Sequence, residues 1–273
     1  MLRKTLGGSL SLRKPSPGLI RCNPDGGWRA VLLVPQAARI ARDMTIEFHL
    51  KAHPGEDLRR FETSPVFWAD TPPVRPWDAP VKPTDLAFLI RANARGELEA
   101  VTRRWWMVPA FHKGPVSAWK TLCANAPIDA LETSPIFREA YGARRALIPL
   151  TSFIVYGEPP GWRKGQPKRR WEATWTPANA ADKVRYFAAI WDRAETADGP
   201  LESFAIVTGP AGADLADLQE TQPAVLTLDQ GLDWLKLEGP GKAGLVTETP
   251  AGTYELNEQP REQAMSRELR RSL

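Results

Sequence analysis

Val184-Arg185-Tyr186-Phe187-Ala188-Ala189-Ile190-Trp191 and Ser203-Phe204-Ala205-Ile206-Val207-Thr208 are two short stretches rich in aromatic and β-branched residues. This composition is typical of buried β-strands. Further strands are predicted over residues 45–50, 86–90, 97–106, 146–148 and 170–176. No regular alternation of strands with long helices connects these stretches. The sequence therefore predicts an α+β fold with a mixed or antiparallel β core and a few short flanking helices, rather than a doubly wound parallel sheet.

Turn and capping residues predict where the hairpin turn, the short helices and the long loop between the strands lie. The tetrapeptide Asn93-Ala94-Arg95-Gly96 predicts a hairpin turn, because glycine is favoured where such turns need a positive φ. Ser134 before Pro135 predicts a helix over residues 134–141. Short helices are also predicted over residues 54–61, 214–219 and 228–235, and a long loop over residues 157–170.

Composition along the chain divides it into three parts. Residues 1–43 are rich in Gly, Ser, Pro and Arg, which indicates either a flexible extension or a mis-assigned start, with Met44 as the alternative start. Residues 44–240 have the pattern of a folded domain. Residues 241–273 are expected to be a tail that carries a peripheral, charged helix.

Charge and cysteine content limit the class of protein. The formal net charge is +4, which is compatible with a polyanionic partner. The two cysteines, Cys22 and Cys123, are too few for a disulfide framework and fit a reducing cytoplasm. The three histidines form no metal-ligand pattern, and no segment has the ~20 apolar residues of a membrane helix. We therefore expect a cytoplasmic monomer with no metal, no cofactor and no membrane association.

A basic segment between Trp162 and Trp171 is the strongest local signal for a nucleic-acid partner. Lysine and arginine neutralise phosphates, and indole rings stack on unpaired bases. The candidate contacts to single-stranded DNA are Arg163, Lys164, Lys168, Arg169 and Arg170. The alternative interpretation is a solvated hairpin loop in which Trp171 belongs to the following strand.

The adjacent residues Trp105 and Trp106 also have two interpretations. They could form a platform on which bases stack. Neighbouring tryptophans in a strand more often place one ring in the core and one on the surface, because side chains alternate between the two faces. The sequence leaves both interpretations open.

Several short motifs occur in a fixed order along the chain. They are Arg104-Trp105-Trp106-Met107-Val108-Pro109, Asn125-Ala126, Leu147-Ile148-Pro149 with Phe153, the 187–191 stretch, Ala205-Ile206-Val207-Thr208 and Gln222-Pro223-Ala224-Val225-Leu226. In this order they resemble the SOS response-associated peptidase (SRAP) family, the abasic-site processing proteins, from Met44 to about Leu235. The resemblance implies barrel-like sheets, and the further candidate DNA contacts of this chain are Arg104, Trp105, Trp106 and Thr208.

The resemblance also implies a mechanism for which this chain lacks most of the groups. In the family, the amine and thiol of an N-terminal cysteine condense with the ring-opened sugar of an abasic site, assisted by Asn, Glu and His. The corresponding positions here are Thr45, Asn125, Val155 and Gln219, so only the asparagine is retained.

Other positions of the family pattern are changed as well. The DNA-binding arginines correspond to Glu47, Pro127 and Thr221, and the glycine of Arg-Trp-Gly-Leu-Val-Pro corresponds to Trp106. A glutamate at position 47 would repel a nearby phosphate.

Three functional hypotheses follow from these substitutions. The first is a catalytically degenerate SRAP-fold protein that still binds single-stranded DNA. The second is a residual abasic-site crosslinking enzyme that starts at Met44 and uses the amine and hydroxyl of an N-terminal Thr45 to form an oxazolidine. The third is a protein-interaction scaffold that does not bind nucleic acid.

Overall fold

Two β-sheets form most of the protein. The computed structural model describes residues 47–51, 55, 58, 59, 61, 64–70, 79–158, 161–163, 166, 168–177, 183–236 and 249–260. The predicted extension over residues 1–43 and the predicted peripheral helix beyond residue 260 lie outside these residues.

Thirteen strands and two α-helices are found in the described part of the chain. The strands are β1 (Glu47–His49), β2 (Val66–Trp68), β3 (Leu86–Ala92), β4 (Leu98–Trp105), β5 (Asn125–Pro127), β6 (Arg145–Leu150), β7 (Ser152–Gly157), β8 (Arg169–Thr174), β9 (Arg185–Thr196), β10 (Gly199–Pro210), β11 (Thr221–Pro223), β12 (Val225–Leu226) and β13 (Glu255–Gln259). The helices are α1 (Arg138–Ala143) and α2 (Leu228–Lys236). No helix among these residues is both long and apolar enough to span a bilayer.

The larger sheet closes on itself to form a barrel. Strands β4, β3, β6, β9 and β10 pair in sequence, and β10 returns to pair with β4. The β10–β4 pairing is parallel, whereas the other four pairings in the ring are antiparallel. Strands β2, β5, β11 and β12 extend this sheet beyond the ring. The predicted α+β class with a mixed β core is therefore confirmed.

The smaller sheet has the strand order β1-β7-β8-β13, and all its pairings are antiparallel. Strand β7 follows β6 after the single residue Thr151, so the chain passes directly from the barrel into the smaller sheet. The sequence predicted a strand only over residues 146–148. The observed strands are longer and form two elements, because the apolar run continues beyond Thr151 in a different sheet.

Alternate side chains of the barrel strands enter two separate hydrophobic cores. On β3, Phe88 and Ile90 belong to the first core, which also contains side chains of α1 and α2. Ala87 and Leu89 belong to the second core, which also contains the facing side chains of the smaller sheet, such as Phe153. Both faces of the barrel strands are thus buried, which explains their nearly continuous apolar composition.

The hairpin turn predicted at residues 93–96 is confirmed. The side chain of Asn93 accepts hydrogen bonds from the backbone N–H groups of Arg95 and Glu97. Gly96 has a φ of 78°, a conformation that glycine adopts without steric cost. The turn joins β3 to β4, which pair antiparallel with Ala92 opposite Leu98.

Two predicted helices differ from the structure. Residues 134–137 form a turn rather than the first helical residues, and α1 begins at Arg138. Ser134 Oγ accepts a hydrogen bond from Ile136 N, which stabilises the turn before the helix.

The segment over residues 214–219 forms hydrogen-bonded turns and not a helix. The carboxylate of Asp214 accepts hydrogen bonds from the backbone N–H groups of Gly252 and Tyr254. Burial opposes ionisation of Asp214, but these backbone donors hold its pKa below the usual range. This contact attaches the segment before β13 to the turn. Glu258 and Gln259 lie in β13, whereas the sequence predicted a tail helix there.

Candidate nucleic-acid interface

Asn125 lies on a short strand held rigidly against the barrel. Strand β5 pairs in parallel with β10, and Asn125 lies opposite Ile206. The backbone just before it is also fixed, because Met107 N donates to Cys123 O at 2.9 Å and Ile206 N donates to Ala124 O at 3.0 Å. The retained asparagine is half-buried, and the backbone hydrogen bonds of its two preceding residues fix its position against β10.

Val155 occupies an apolar environment on β7. Its side chain is 1% exposed, belongs to the second core and lies opposite Trp171 of β8. An ionised carboxylate at this position would lose its hydration without gaining a partner among the core residues. The position where the family resemblance implies a glutamate has therefore become part of the hydrophobic core.

Gln219 lies at the end of the turn that contacts β7. Leu218 packs so closely on Gly157 that a Cβ atom added there would lie 2.5 Å from Leu218 Cδ2. This contact brings Gln219 close to the strand that carries Val155. Gln219 Nε2 is buried and has no hydrogen-bond partner among the described residues, and an amide cannot replace the proton transfer of an imidazole.

Residues close to all three of these positions meet in one cluster. Ala124, Val155, Leu215 and Leu218 all belong to or pack against the second core. Val155 thus lies in the second core, and Asn125 and Gln219 are each next in sequence to a residue that belongs to this core or packs on it. Thr45, the predicted nucleophile position, lies outside the described residues.

The thiol of Cys123 does not replace the missing nucleophile. It is fully buried, and burial raises its pKa to about 11, so the protonated form dominates at neutral pH. The thiolate is the reactive form of cysteine. No cluster of His, Cys, Asp and Glu side chains suited to a metal ion occurs in the described part of the chain.

Trp105 is a core residue and not a platform for base stacking. Its ring is fully buried and lies nearly parallel to Phe204, with ring centroids 6.4 Å apart. Its Nε1 donates to Ala124 O at 2.7 Å. The predicted DNA contact at this residue is corrected, because the ring offers no surface to a ligand in this structure.

Arg104 and Thr208, two further predicted DNA contacts, are both partly or fully buried within the fold. Arg104 Nη1 donates to the carbonyl oxygen of Trp106 at 3.1 Å, and burial lowers the pKa of its guanidinium. Thr208 is buried and pairs with both Pro127 and Pro223. Neither residue presents a readily accessible side chain to a phosphate.

Trp106 has a backbone conformation that favours glycine. Its φ is 106°, and the family resemblance implies a glycine at this position. Its indole is half-buried, packs against both cores, and donates from Nε1 to Thr121 O at 3.1 Å. A bulky residue in this region costs about 1–3 kcal/mol of backbone strain, so the indole contacts must offset that cost.

The strain at Trp106 leads to a prediction about two truncations. We expect Trp106→Gly to be more stable than Trp106→Ala by about 1 kcal/mol, because only glycine adopts this φ without strain. Both variants lose the same indole contacts, so each is the control for the other. Urea unfolding measures the difference. An alanine variant as stable as the glycine variant would show that the backbone relaxes to a negative φ.

Exposed aromatic rings lie in the loop over residues 106–122, here called the aromatic loop. Phe111 is 55% exposed and contacts Trp119 edge to face, with ring centroids 5.8 Å apart. His112 packs on the same indole, and Lys113, whose Nζ donates to Ala110 O at 2.9 Å, and Lys120 are exposed in the same loop. Aromatic rings next to cations suit binding of unpaired bases and their phosphates. The sequence analysis missed this surface, although the aromatic residues followed by lysine in Phe111-His112-Lys113 and in Trp119-Lys120 could have indicated it.

The cations of the basic segment are less available to phosphate groups than the sequence indicates. Lys168 Nζ lies 3.2 Å from Glu158 Oε1, and Arg169 Nε lies 3.7 Å from Glu258 Oε1. Arg170 donates to the buried carboxylate of Glu47. Three of the five predicted cationic contacts therefore face carboxylates of the same chain, which weakens their attraction for phosphate. Arg163 is exposed, and Lys164 lies outside the described residues.

A separate groove lies away from these residues. Its volume is about 830 Å³, and it is bounded by the β2–β3–β4 region and by α2, with Phe67, Leu98, Leu232 and Leu235 in its wall. It contains none of the predicted site residues.

Comparison with known proteins supports the assignment of the fold. The sequence profile of the SOS response associated peptidase (SRAP) family matches residues 44–260. This chain belongs to the SRAP family. The match includes β13 and the site positions on β5, on β7 and in the turn before β11.

The individual relatives are more distant. The chain is 26% identical over 136 residues to the abasic site processing protein YoqW of Bacillus subtilis, which is 48% of this chain and 55% of that protein. It is also 26% identical over 136 residues to the abasic site processing protein YobE of the same organism, covering 56% of it. The chain thus matches only about half the length of these curated relatives.

Two solved structures show the same fold at low identity. A protein from Bacteroides thetaiotaomicron superposes with a TM-score of 0.63 and 18% identity, covering 79% of this chain and 92% of its own. A protein from Bordetella bronchiseptica superposes with a TM-score of 0.63 and 21% identity, covering 80% and 100%. Both likenesses establish the fold and carry no functional argument.

Proposed function

We propose that this SRAP protein binds single-stranded DNA non-covalently and does not form the covalent crosslink with abasic sites that the family resemblance implies. The observation that carries the proposal is the burial of Val155 in an apolar core, where that chemistry would need a carboxylate. The names of the two Bacillus relatives support a role in the processing of abasic sites in damaged DNA.

The loss of acid–base groups argues against an enzyme of the family type. Each general acid or base typically contributes ~10²–10⁴ to a rate. Valine at 155 and glutamine at 219 supply neither group, and Cys123 is protonated at neutral pH. Asn125 alone can orient a sugar by hydrogen bonding, but it cannot form a covalent bond with it.

The aromatic loop is the surface best suited to DNA. Phe111 offers an exposed ring that contacts Trp119, and the exposed Lys113 and Lys120 closely follow Phe111 and Trp119 in the sequence. Stacking of one base on an aromatic side chain contributes about 1–3 kcal/mol. Because every base has a flat face, such a surface would bind single strands with little dependence on their sequence.

A binding measurement on matched oligonucleotides tests this proposal. We expect fluorescence anisotropy to show binding to single-stranded DNA at low salt, with affinity falling as salt rises. We expect Phe111→Ala to weaken binding about tenfold, and Leu86→Ala, an exposed apolar residue outside the aromatic loop, to leave it unchanged. Absence of binding by the native protein at low salt would exclude the proposal and favour the protein-interaction scaffold.

Intact mass spectrometry on the native protein with an abasic-site oligonucleotide tests the chemistry. We expect the mass of the chain to remain unchanged after incubation. A covalent adduct on a chain that begins at Thr45 would establish the residual crosslinking enzyme, in which the N-terminal amine and the threonine hydroxyl close an oxazolidine ring on the aldehyde carbon. An oligonucleotide without the abasic site is the control.

A further inference from the structure

Two aspartates, one on strand β9 and one in the turn after it, hold the aromatic loop by its backbone. Asp192 Oδ2 accepts a hydrogen bond from Ala110 N at 2.8 Å, and Asp198 Oδ2 accepts one from Val116 N at 2.8 Å. Phe111, which carries the exposed ring, lies between these two bonds in the sequence. The loop is thus fixed to the barrel on both sides of that residue.

The attachment at Ala110 is built into the barrel strands. Asp192 of β9 lies opposite Ser203 of β10, and Ser203 Oγ accepts a hydrogen bond from Val108 N at 2.8 Å. The two side chains of this cross-strand pair therefore hold two backbone N–H groups near the start of the loop. Asp192 is 4% exposed and Ser203 is fully buried, so water competes little for these bonds.

Both oxygens of Asp192 face donors. Arg193 N donates to Oδ1 at 2.8 Å, and Arg144 Nη2 lies 3.1 Å from the same oxygen. The other oxygen accepts from Ala110 N. Only a carboxylate accepts in both directions, because an amide has a donor in place of one oxygen. The two donors on the Oδ1 side would retain the oxygen of an asparagine, so its Nδ2 group would face Ala110 N–H without bonding to it.

The second attachment lies in the turn between β9 and β10. Besides the bond from Val116 N to Asp198, Ala197 N donates to Gly114 O at 3.3 Å. Asp198 is exposed, so water can replace it as an acceptor more easily than it can replace the buried Asp192. Asp192 is therefore the stronger of the two anchors.

We propose that Asp192 and Asp198 position the aromatic loop for DNA binding, although both carry the charge that repels DNA. They hold the Phe111 ring against Trp119 in one orientation, so DNA does not have to order the loop when it binds. Coulombic repulsion alone would give these carboxylates the opposite effect, since a negative charge near a phosphate weakens binding. The role in DNA binding rests on the proposed function, whereas the anchoring of the loop does not.

Anisotropy with a labelled single-stranded oligonucleotide compares Asp192→Asn with the native protein. We expect the variant to bind about three- to tenfold more weakly, and the upper value is that expected for loss of the Phe111 ring. A purely coulombic effect has the opposite sign, because the variant has one negative charge fewer. An affinity equal to or higher than that of the native protein would overturn the proposal.

Glu195→Gln is the matched control, because it also replaces a carboxylate of β9 by an amide. Glu195 is exposed and pairs with Arg193 Nε at 2.9 Å. This substitution should not weaken DNA binding. A loss as large as that in Asp192→Asn would show that the effect does not depend on the aromatic loop, and it would contradict the proposal.

Combination with Phe111→Ala distinguishes positioning from a general loss of structure. If Asp192 acts through the ring, Asp192→Asn should have almost no further effect on affinity once the ring is absent. A protein that is simply less folded would lose the same factor with and without the ring. Equal losses in the two backgrounds would therefore overturn the proposal.

Hydrogen exchange followed by NMR tests the anchor in the absence of DNA. We expect the Ala110 amide to exchange about tenfold faster, or more, in Asp192→Asn than in the native protein, because it loses a charged acceptor. The Val116 amide, which Asp198 still binds, should stay closer to its native rate. An unchanged rate at Ala110 would contradict the anchoring.

Should Asp192→Asn fail to fold, Asp198→Ala provides the decision, because its side chain is exposed. It should weaken DNA binding about twofold and speed the exchange of the Val116 amide. An affinity at or above that of the native protein would overturn the proposal.

The outcomes separate this inference from the proposed function. Equal DNA binding by the native protein and by Asp192→Asn would support the function and contradict the inference. No binding by the native protein would contradict both the function and the role of Asp192 in DNA binding. Faster exchange at Ala110 would in that case still establish Asp192 as the anchor of the loop.

Discussion

Val155→Glu is expected to lower the free energy of unfolding by about 4 kcal/mol at pH 7, and by up to about 7 kcal/mol above the pKa of the carboxyl in the folded protein. The side chain is 1% exposed among apolar neighbours, so the new carboxylate would be desolvated without a partner. Burial of this kind raises the pKa of a glutamate by about 3–5 units, and each unit corresponds to about 1.36 kcal/mol. Urea unfolding at several pH values measures the loss.

The effect of pH on this variant has a definite sign. In the unfolded chain the carboxyl titrates near a pKa of about 4.3, whereas in the folded protein it titrates at higher pH. Between these values the unfolded state binds fewer protons than the folded state, so stability falls as pH rises. The loss should therefore be smallest at about pH 4 and increase to its full value above the pKa in the folded protein.

Val155→Gln is the matched control, because glutamine has the same length and does not titrate. It should lower the free energy of unfolding, and the difference from the native protein should be the same at every pH. If Val155→Glu were as stable as the native protein at pH 7, position 155 would have water or a cationic partner. That result would show that the site still has room for the carboxylate that the family resemblance implies, and it would remove the main support for a non-covalent function.

Trp105→Ala is expected to lower the free energy of unfolding by about 3–5 kcal/mol, as for other large aromatic residues in cores. The variant loses the ring contacts with Phe48 and Phe204 and leaves the carbonyl oxygen of Ala124 without its indole donor. Thermal or urea unfolding with a check of the far-ultraviolet circular dichroism measures this effect.

Trp105→Phe separates packing from hydrogen bonding at the same position. It keeps an aromatic ring but cannot donate to Ala124 O, so we expect a smaller loss of about 1–3 kcal/mol. Its affinity for single-stranded DNA should match that of the native protein, because the ring is buried. A loss of affinity in a folded Trp105→Phe protein, comparable to that in Phe111→Ala, would show that Trp105 is accessible to DNA after all.

The fold class was predictable because its signals are local. Alternating and aromatic stretches predicted the strands that became β3, β4, β6, β8, β9 and β10, and Asn93 and Gly96 predicted the hairpin turn. Strand β7 was missed because it follows β6 after the single residue Thr151, and so short a connection does not show that the chain leaves one sheet for another. The helix expected over residues 214–219 was wrong because Asp214 binds backbone groups some 40 residues away.

The site was predictable only as a set of positions. The family resemblance supplied Asn125, Val155 and Gln219, and the structure places Val155 in the second core and the sequence neighbours of the other two in or against it. The sequence could not show which of the two rings, Trp105 or Trp106, is buried, because the burial of each ring depends on strands β9 and β10. It also overlooked Phe111 and Trp119, whose contact depends on the path of the aromatic loop.

The basic segment shows most clearly which properties the local sequence determines and which the tertiary structure determines. Its charge density is a property of neighbouring residues and is visible in the sequence alone, as are the strand pattern and the missing catalytic groups. Its availability to DNA depends on carboxylates that are distant in sequence. Glu47 is 123 residues from Arg170, and the two meet only because β1 and β8 flank β7 in the smaller sheet. Coulombic attraction depends on distance in space, and only the folded chain defines that distance.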